Sequence, residues 1–442
     1  MTFRAPEPAP LGPVEPPPAL VALRGTVQAR PYDSRAITRD CTNTDCDVLP
    51  LAAGMAVTMD TLAAMAHDVG LAPTPRRGMS QFARQQGETF DDNILTDGRP
   101  LIAELVELGW IDSASIAVVN VNDHVDPPTA AGLTGDGGKP GEQAWRHYHL
   151  ARVRYTVEAL ARAVRAATPT LLLRGVVETT GVARTPVRGF GEFDFALILP
   201  PGYLPPSPSI REVIALHGIG PGHTGVTVVG DAKSWRKLGR LDNGDKRATV
   251  ARQLGLYVTA ARRTWQLELA ETVIGYGLAV NPPSAGGLSR ATLTGLDLSD
   301  VLRVLVGKPL RAEAAVQKAT VPLEAAVAAG ARLDPADPLA TTAALKALMD
   351  HASWQPSCLA QCPMGQACRR HLDSADRVER LGTAAVQAGR ITTLTRLHAL
   401  RQGAAPTASE ADAAQQLAAA DVLLGADVTP PWMSDGGTGG PA

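Results

Sequence analysis

The sequence predicts an α/β fold in which a central mixed sheet is flanked by helices, with helical additions at both ends of the chain. Three observations lead there. Apolar runs of strand length occur at 168–178, 193–199, 226–233 and 273–280, bounded by turn residues. Segments with helical spacing stand between or beside these runs. Beyond residue 300 the chain is alanine-rich and helical in pattern.

At 442 residues the chain can form two or three ordinary domains or one large elaborated one. A formal net charge of −2 neither favours nor excludes a nucleic-acid partner, so local charge must decide. No stretch approaches the roughly 20 apolar residues of a membrane helix. The proline-rich N-terminus lacks the unbroken apolar core of a signal peptide, so no membrane association and a cytoplasmic location are expected. There, the five cysteines are metal ligands or free thiols before they are disulfides.

Taken in order, residues 1–22 are expected to be a disordered proline-rich tail. Residues 23–300 form the core, with Cys41 and Cys46 in a polar stretch near its start. Ala52–Val69 reads as a helix. Arg76–Leu95 runs from basic to acidic, with Ser80 placed to cap a helix that Gly87 weakens. Asn120–Gly141 is a loop whose GLTGDGGKP resembles a phosphate loop only superficially, because Pro140 stands where Ser or Thr belongs. Glu142–Ala167 is helical, with Trp145, Leu150, Val153, Val157, Leu160 and Val164 as its apolar stripe.

The first three apolar runs, separated by turns, are expected to form an antiparallel meander with the fourth beside them. The connection Pro200–Gly225 is rich in Pro and Gly. Its Gly220-Pro-Gly222-His-Thr-Gly225 matches G-x-G-x-x-G, but a strand follows where a dinucleotide site needs a helix, so a loop is expected. Residues 301–425 form a helical region, and 426–442 a second disordered tail.

The chemistry gathers around Val226–Tyr257. An apolar strand ends in Gly230-Asp231-Ala232-Lys233, and side chains two apart on a strand share a face. Gln253 and Tyr257, four apart on the following helix, share one too. Asp194 sits at or near the start of the preceding strand. Two carboxylates on adjacent strands make an oxygen-rich site suited to Mg²⁺ or Mn²⁺, with the Ala232 carbonyl available as a further ligand. Lys233 beside such a metal can orient a water or stabilise charge developing on a phosphoryl group. Asp-x-Lys alone is common, and only the order of the elements around it gives it weight.

At these residues the chain resembles the RecB-like branch of the PD-(D/E)XK nuclease superfamily, through Gly191-Glu-Phe-Asp194, Asp231-Ala-Lys233 and Gln253-Leu-Gly-Leu-Tyr257. The resemblance spans about Arg76 to Val280. It implies a restriction-endonuclease-like core, metal binding by Asp194 and Asp231, catalysis aided by Lys233, and a DNA-facing role for Gln253 and Tyr257. The family carries an upstream His or acidic ligand after a glycine on a helix. Here the helix reads Gly87-Glu88-Thr-Phe-Asp91, so Asp91, or else Glu88, is expected in that place. The gap from Asp194 to Asp231 is long and implies an inserted loop.

Cys358, Cys362 and Cys368 form C-x3-C-x5-C, and Pro363 follows the second of them. With one upstream cysteine they suit a [4Fe–4S] cluster, and the same sulfurs suit Zn²⁺ as the alternative. The arrangement is similar to the iron–sulfur subset of these nucleases, which includes the AddB nuclease domain and the CRISPR-associated adaptation exonucleases. That likeness implies a structural cluster closed by Cys46, or alternatively Cys41. The first gap carries one residue more than the family's usual C-x2-C. Trp235, Arg236, Lys237, Arg240, Lys246, Arg247 and Arg252 add a basic patch for phosphates and a ring for stacking.

The function expected is a metal-dependent DNA nuclease, an exonuclease on single-stranded or frayed ends, in repair or in defence against foreign DNA. With no helicase phosphate loop in the chain, helicase or defence-complex subunits would be separate partners. The alternative is a catalytically inert, nuclease-like DNA-binding module stapled by a metal.

Overall fold

The computed structural model describes residues 13–31, 34–72, 81–112, 116–128, 142–183, 185–219, 224–234, 244–283, 290–355, 357–377, 380, 391 and 393–424. Six strands form one mixed sheet: β1 (Ala117–Asn120), β2 (Thr170–Glu178), β3 (Phe190–Leu199), β4 (Val226–Ala232), β5 (Val273–Asn281) and β6 (Thr292–Asp297). They lie in the order β1-β2-β3-β4-β5-β6. β2, β3 and β4 are the expected antiparallel meander, and β5 joins β4 in parallel. The edges were not legible in advance. β1 has four residues and pairs parallel to β2, and β6 pairs antiparallel to β5.

The helices in chain order are α1 (Pro18–Arg24), α2 (Ser34–Asp40), α3 (Val48–Met55), α4 (Met59–Asp68), α5 (Gln81–Leu95), α6 (Arg99–Glu107), α7 (Glu142–Arg165), α8 (Thr180–Ala183), α9 (Pro208–Leu216), α10 (Gly244–Thr264), α11 (Leu267–Ala270), α12 (Ser299–Ala328), α13 (Pro338–Met349), α14 (Ser357–Gln361), α15 (Gly365–Ser374), α16 (Leu394–Arg401) and α17 (Ala411–Leu424). They cover both faces of the sheet, so its central strands are apolar on both sides. On one face α5, α6 and α9 contribute Phe90, Ile94, Leu101, Leu105 and Ile214. On the other, α7, α10 and α12 pack with the N-terminal helices and with α13 to α15 in one continuous core. The helical region expected from residue 301 therefore shares its core with the sheet.

Several local expectations are corrected. The proline-rich tail was expected to run to Ala22, but Pro18–Arg24 is a helix. Pro18 occupies its first turn, where no donor is needed, and Ala19, Leu20 and Leu23 are buried. The single helix expected at 52–69 is two. The chain turns at Ala56, with φ of 55°, and Thr58 caps α4 by accepting the Thr61 N–H at 3.1 Å. The Pro/Gly-rich connection after β3 contains α9. Residues 299–328 form one helix through Pro309 and Pro322. Each proline forgoes an i→i−4 bond. Burial of Ala312, Ala315, Ala319 and Leu323 on one face offsets that loss. Trp145 was assigned to the inward stripe of α7, yet it is 43% exposed. The inward positions are Arg152, Thr156, Ala159, Leu160 and Ala163. Ser80, the GLTGDGGKP segment, Gly220 to His223, residues 1–12 and residues 425–442 lie outside the described residues.

No single helix among the described residues is long and apolar enough to cross a membrane. Only α3 and α4 together match that composition, and they bend by 99° within the core.

Lys308 is buried on α12, 3% exposed. Burial, and after it the charge of Arg311, lower its pKa to about 7. A lysine whose folded value lies below its unfolded one destabilises the fold most at low pH, and the penalty fades as pH rises from about 7 towards 10.5. Lys308→Met should therefore raise the melting temperature at pH 6.5, with the gain over wild type shrinking by pH 9.5 in thermal melts.

Candidate active site and thiol cluster

β3 and β4 bring the predicted acids together. Asp194 lies in the middle of β3, not at its start. Its Oδ2 accepts the Ala232 N–H at 2.6 Å, across the β3–β4 pair. Ala232 thus enters the site through its amide. Asp231 is 1% exposed, and its Oδ2 has the Lys233 ammonium at 2.6 Å. Gln253 on α10 donates from Nε2 to Asp231 Oδ1 at 3.1 Å and to the Tyr257 hydroxyl at 2.7 Å. The three motifs, distant in sequence, meet in one bonded cluster.

The glycines of the motifs have visible reasons. A Cβ on Gly191 would press the Tyr257 ring at 2.9 Å, so Gly-x-x-Asp must begin with glycine for α10 to close over β3. A Cβ on Gly230 would enter the Phe195 ring, its cross-strand partner. Tyr257 itself is 2% exposed and packs beside Phe193 at 6.3 Å. This corrects the expected DNA-facing role: Tyr257 is buried and positions Gln253, which in turn holds Asp231.

Asp91 is the acid of α5 that reaches the cluster. Burial raises its pKa to about 6, with Lys233 acting against the rise and Asp231 adding to it. Glu88, one turn earlier, is exposed. Gly87 lies next to Ser234, past the end of β4, where a Cβ would make ordinary contact with the hydroxyl at 3.7 Å. Asp194 is held well above the usual carboxylate range, by burial first and then by the charge of Asp231. Lys233 is held above its ordinary value because Asp231 and Asp194 outweigh the effect of burial. Three carboxylates thus share one ammonium, and the raised values of Asp194 and Asp91 mark a place where a further cation would stabilise the ionised acids.

Two arginines here were not anticipated. Arg174 sits in β2 with φ of 55°, a left-handed conformation strained for a side chain of its size. Its guanidinium reaches Asp92 at 3.3 Å and Glu192 at 3.9 Å, and its charge is felt by Asp91. Phe193 and Phe195, two apart on β3, fall into different cores, although such neighbours share a face in a regular strand. The reversal lies opposite Arg174. Arg152 of α7 is buried, pairs with Glu192 at 2.5 Å and donates to the Arg174 carbonyl at 2.8 Å. The sequence signal was a lone charge inside the apolar run TLLLRGVV.

Of the basic patch, Lys246 and Arg247 are exposed at the start of α10, and Arg252 is half-buried. Trp235, Arg236, Lys237 and Arg240 lie outside the described residues. A cleft of about 650 Å³ lined by Val164, Arg165, Thr224, Gln266 and Leu269 lies towards the opposite end of β4 and holds none of the candidate residues.

The cysteines separate into four and one. Cys46, Cys358, Cys362 and Cys368 lie within electrostatic reach of one another. Cys41 is apart, its thiol donating to the Ile37 carbonyl at 3.4 Å. Cys358 is the second residue of the short α14, and the Cys362 N–H bonds its carbonyl at 2.9 Å, so the extra residue of C-x3-C is taken up in one helical turn. Gly365 lets α15 close on it, since a Cβ there would strike the Cys358 carbonyl.

Burial pushes Cys362 up to about 12 and raises Cys46 and Cys368, with the neighbouring thiols adding to it. Opposing this, amide N–H groups of Ser353, Val48 and Leu49 point to the Cys46 sulfur, and that of Met364 to Cys362. Asn43 Nδ2 donates to Cys358 Sγ at 3.3 Å. Amide donors around sulfur favour thiolates over thiols. Asn43 also bonds the Ser353 carbonyl, and Gln355 the Thr42 carbonyl, each at 2.6 Å. The segments around Asn43 and Gln355 are therefore joined here by hydrogen bonds.

Among the described residues, no three His, Cys, Asp or Glu side chains converge closely enough to enclose an ion. Mg²⁺ does not require this: it binds through one or two carboxylates and keeps waters and substrate phosphates as its other ligands. Asp231 Oδ2 accepts no hydrogen bond beyond its ion pair, so the donor set of Asp194 and Asp231, with Asp91 at its edge, fits such a metal. No protein-family model, no curated protein and no solved structure matches the chain.

Proposed function

We propose that the chain is a metal-dependent DNA nuclease with a restriction-endonuclease-like core. The observation that carries this is the single cluster formed by Asp194, Asp231, Lys233, Gln253 and Tyr257. Asp194 and Asp231 would hold Mg²⁺ or Mn²⁺, with Asp91 beside them. Such a metal supplies an activated water and a Lewis acid for the scissile phosphate. The Ala232 amide fixes the Asp194 carboxylate, and Gln253 fixes that of Asp231. Lys233, partly exposed at the strand end, would orient the attacking water and stabilise charge on the phosphoryl oxygens. Arg174 adds a cation beside the acids for a neighbouring phosphate.

The four grouped cysteines would carry a structural [4Fe–4S] cluster, which sets its sulfurs farther apart than a single Zn²⁺ does. Zn²⁺ remains the alternative ion. The substrate is DNA with single-stranded or frayed ends, in repair or in defence against foreign DNA, with helicase or defence-complex subunits as separate partners. Stripped of divalent metal and resupplied with Mg²⁺ or Mn²⁺, the protein should shorten end-labelled linear single strands and leave circular single strands intact. Cutting of circles would contradict exonuclease action, and no cutting of either would contradict the nuclease itself.

A further inference from the structure

We propose that the N-terminal half of α7, together with Phe190 of β3, is a stacking platform that guides a single strand of nucleic acid into the carboxylate cluster. The proposal rests on the nuclease reading and names the form of its substrate. Only 4% of the chain is aromatic, yet Trp145, Tyr148, His149 and Phe190 adjoin one another. Trp145 meets Tyr148 edge-on at 5.6 Å and lies over His149 at 6.1 Å and 30°. His149 stacks on Phe190 at 5.3 Å and 22°. These separations are those of paired rings. Arg152 completes the series, its guanidinium carbon 5.4 Å from the Tyr148 ring centre. The i, i+3 and i, i+4 spacings of 145, 148, 149 and 152 place the four on one side of the helix, open at Trp145 and buried at Arg152, which is 3% exposed.

The ladder is not spent on the core. Trp145 is 43% exposed, and Tyr148, His149 and Phe190 are half-buried. Burial, and then Arg152, lower the pKa of His149, so it presents a neutral ring at pH 7. Charge selects the occupant. Between Glu142 and Glu158 the helix carries exposed Arg146, His147 and Arg154 and no acid, while Arg152 is buried. The nearby carboxylate of Glu192 is engaged by Arg152 at 2.5 Å. Exposed rings among cations suit a ligand that has both flat apolar faces and negative charge. Unpaired nucleotides have both, whereas a duplex hides its base faces. The platform also leads somewhere: Phe190 precedes Asp194 by four residues on β3, roughly 13 Å of strand.

The test measures binding of fluorescein-labelled oligothymidylate, and of a duplex of equal length, to the full chain in EDTA, where nothing is cut. Trp145→Ala should weaken single-strand binding about 10-fold while leaving duplex binding within about two-fold, and Trp145→Phe should keep most of the affinity. Trp145 is exposed, so the fold should survive, and circular dichroism checks this. Unchanged single-strand affinity in Trp145→Ala, with wild type binding and cutting DNA, overturns the platform alone, and is the outcome if the ladder serves a protein partner. Equal losses for single strand and duplex also overturn it. A wild-type protein that neither binds nor cuts nucleic acid removes the nuclease reading and the platform together.

Discussion

Lys233→Ala protein is expected to fold, to bind divalent metal, and to hydrolyse DNA about 10²- to 10³-fold more slowly than wild type. The side chain stands at the end of β4, about a quarter exposed, while its amide is held by the Val280 carbonyl at 2.8 Å. Truncation therefore leaves the strand pairing intact and removes one charge. In metal-free protein it also strips buried Asp231 of its counter-ion, at a cost of about 3 kcal/mol. Added Mg²⁺ or Mn²⁺ should restore much of that stability, since a bound cation replaces the lost charge. Single-turnover rates at saturating metal, beside thermal melts with and without metal, separate the two effects. A Lys233→Ala enzyme with wild-type turnover would remove the lysine from the chemistry.

The second large effect distinguishes two cysteines five positions apart. Cys46→Ser should abolish incorporation of the cluster and lower the melting temperature of the holoprotein, whereas Cys41→Ser should leave both near wild type. Cys46 sits among Cys358, Cys362 and Cys368 with three amides aimed at its sulfur, and Cys41 bonds a helix carbonyl of its own element. A group that joins Cys46 to Cys358, 312 positions on, constrains the unfolded chain strongly. By analogy with long-loop crosslinks, its loss costs on the order of 4 kcal/mol. Iron and acid-labile sulfide determination on anaerobically purified variants measures occupancy directly. A brown wild type, colourless Cys46→Ser and brown Cys41→Ser is the expected set. Full iron in Cys46→Ser would contradict the assignment, and zinc in wild type would replace the cluster by the alternative ion.

The central strands, and Asp194 and Asp231 on two of them, were readable because long apolar runs and fixed spacings survive without tertiary information, although Asp194 stands mid-strand where a strand start was expected. The meander and the meeting of Asp194 with Asp231 follow from short-range order alone. The edge strands were not readable, since Ala117–Asn120 is too short to show a period and Thr292–Asp297 is half polar. The N-terminal helix was hidden by its prolines, which favour a coil until Leu20 and Leu23 find the core. The DNA-facing role of Tyr257 came from the family resemblance alone, since spacing gives a helix face and not what covers it. Arg174 was missed because its importance lies in a backbone reversal opposite Phe193–Phe195, which no local pattern records. Trp145 was misplaced for a related reason: an apolar ring at core spacing is assigned to the core, and only the fold shows it 43% exposed.

The most direct test of a metal-dependent nuclease centre is DNA hydrolysis by wild type and Asp194→Ala side by side, in EDTA and across a Mn²⁺ titration. Asp194 is held by the Ala232 amide at 2.6 Å, so its removal deletes one proposed ligand without unpairing β3 from β4. The expected result is cleavage by wild type that appears only with metal and none above background by Asp194→Ala at any Mn²⁺ concentration. Metal-independent cleavage by wild type, or metal-dependent cleavage retained by Asp194→Ala, would contradict the account.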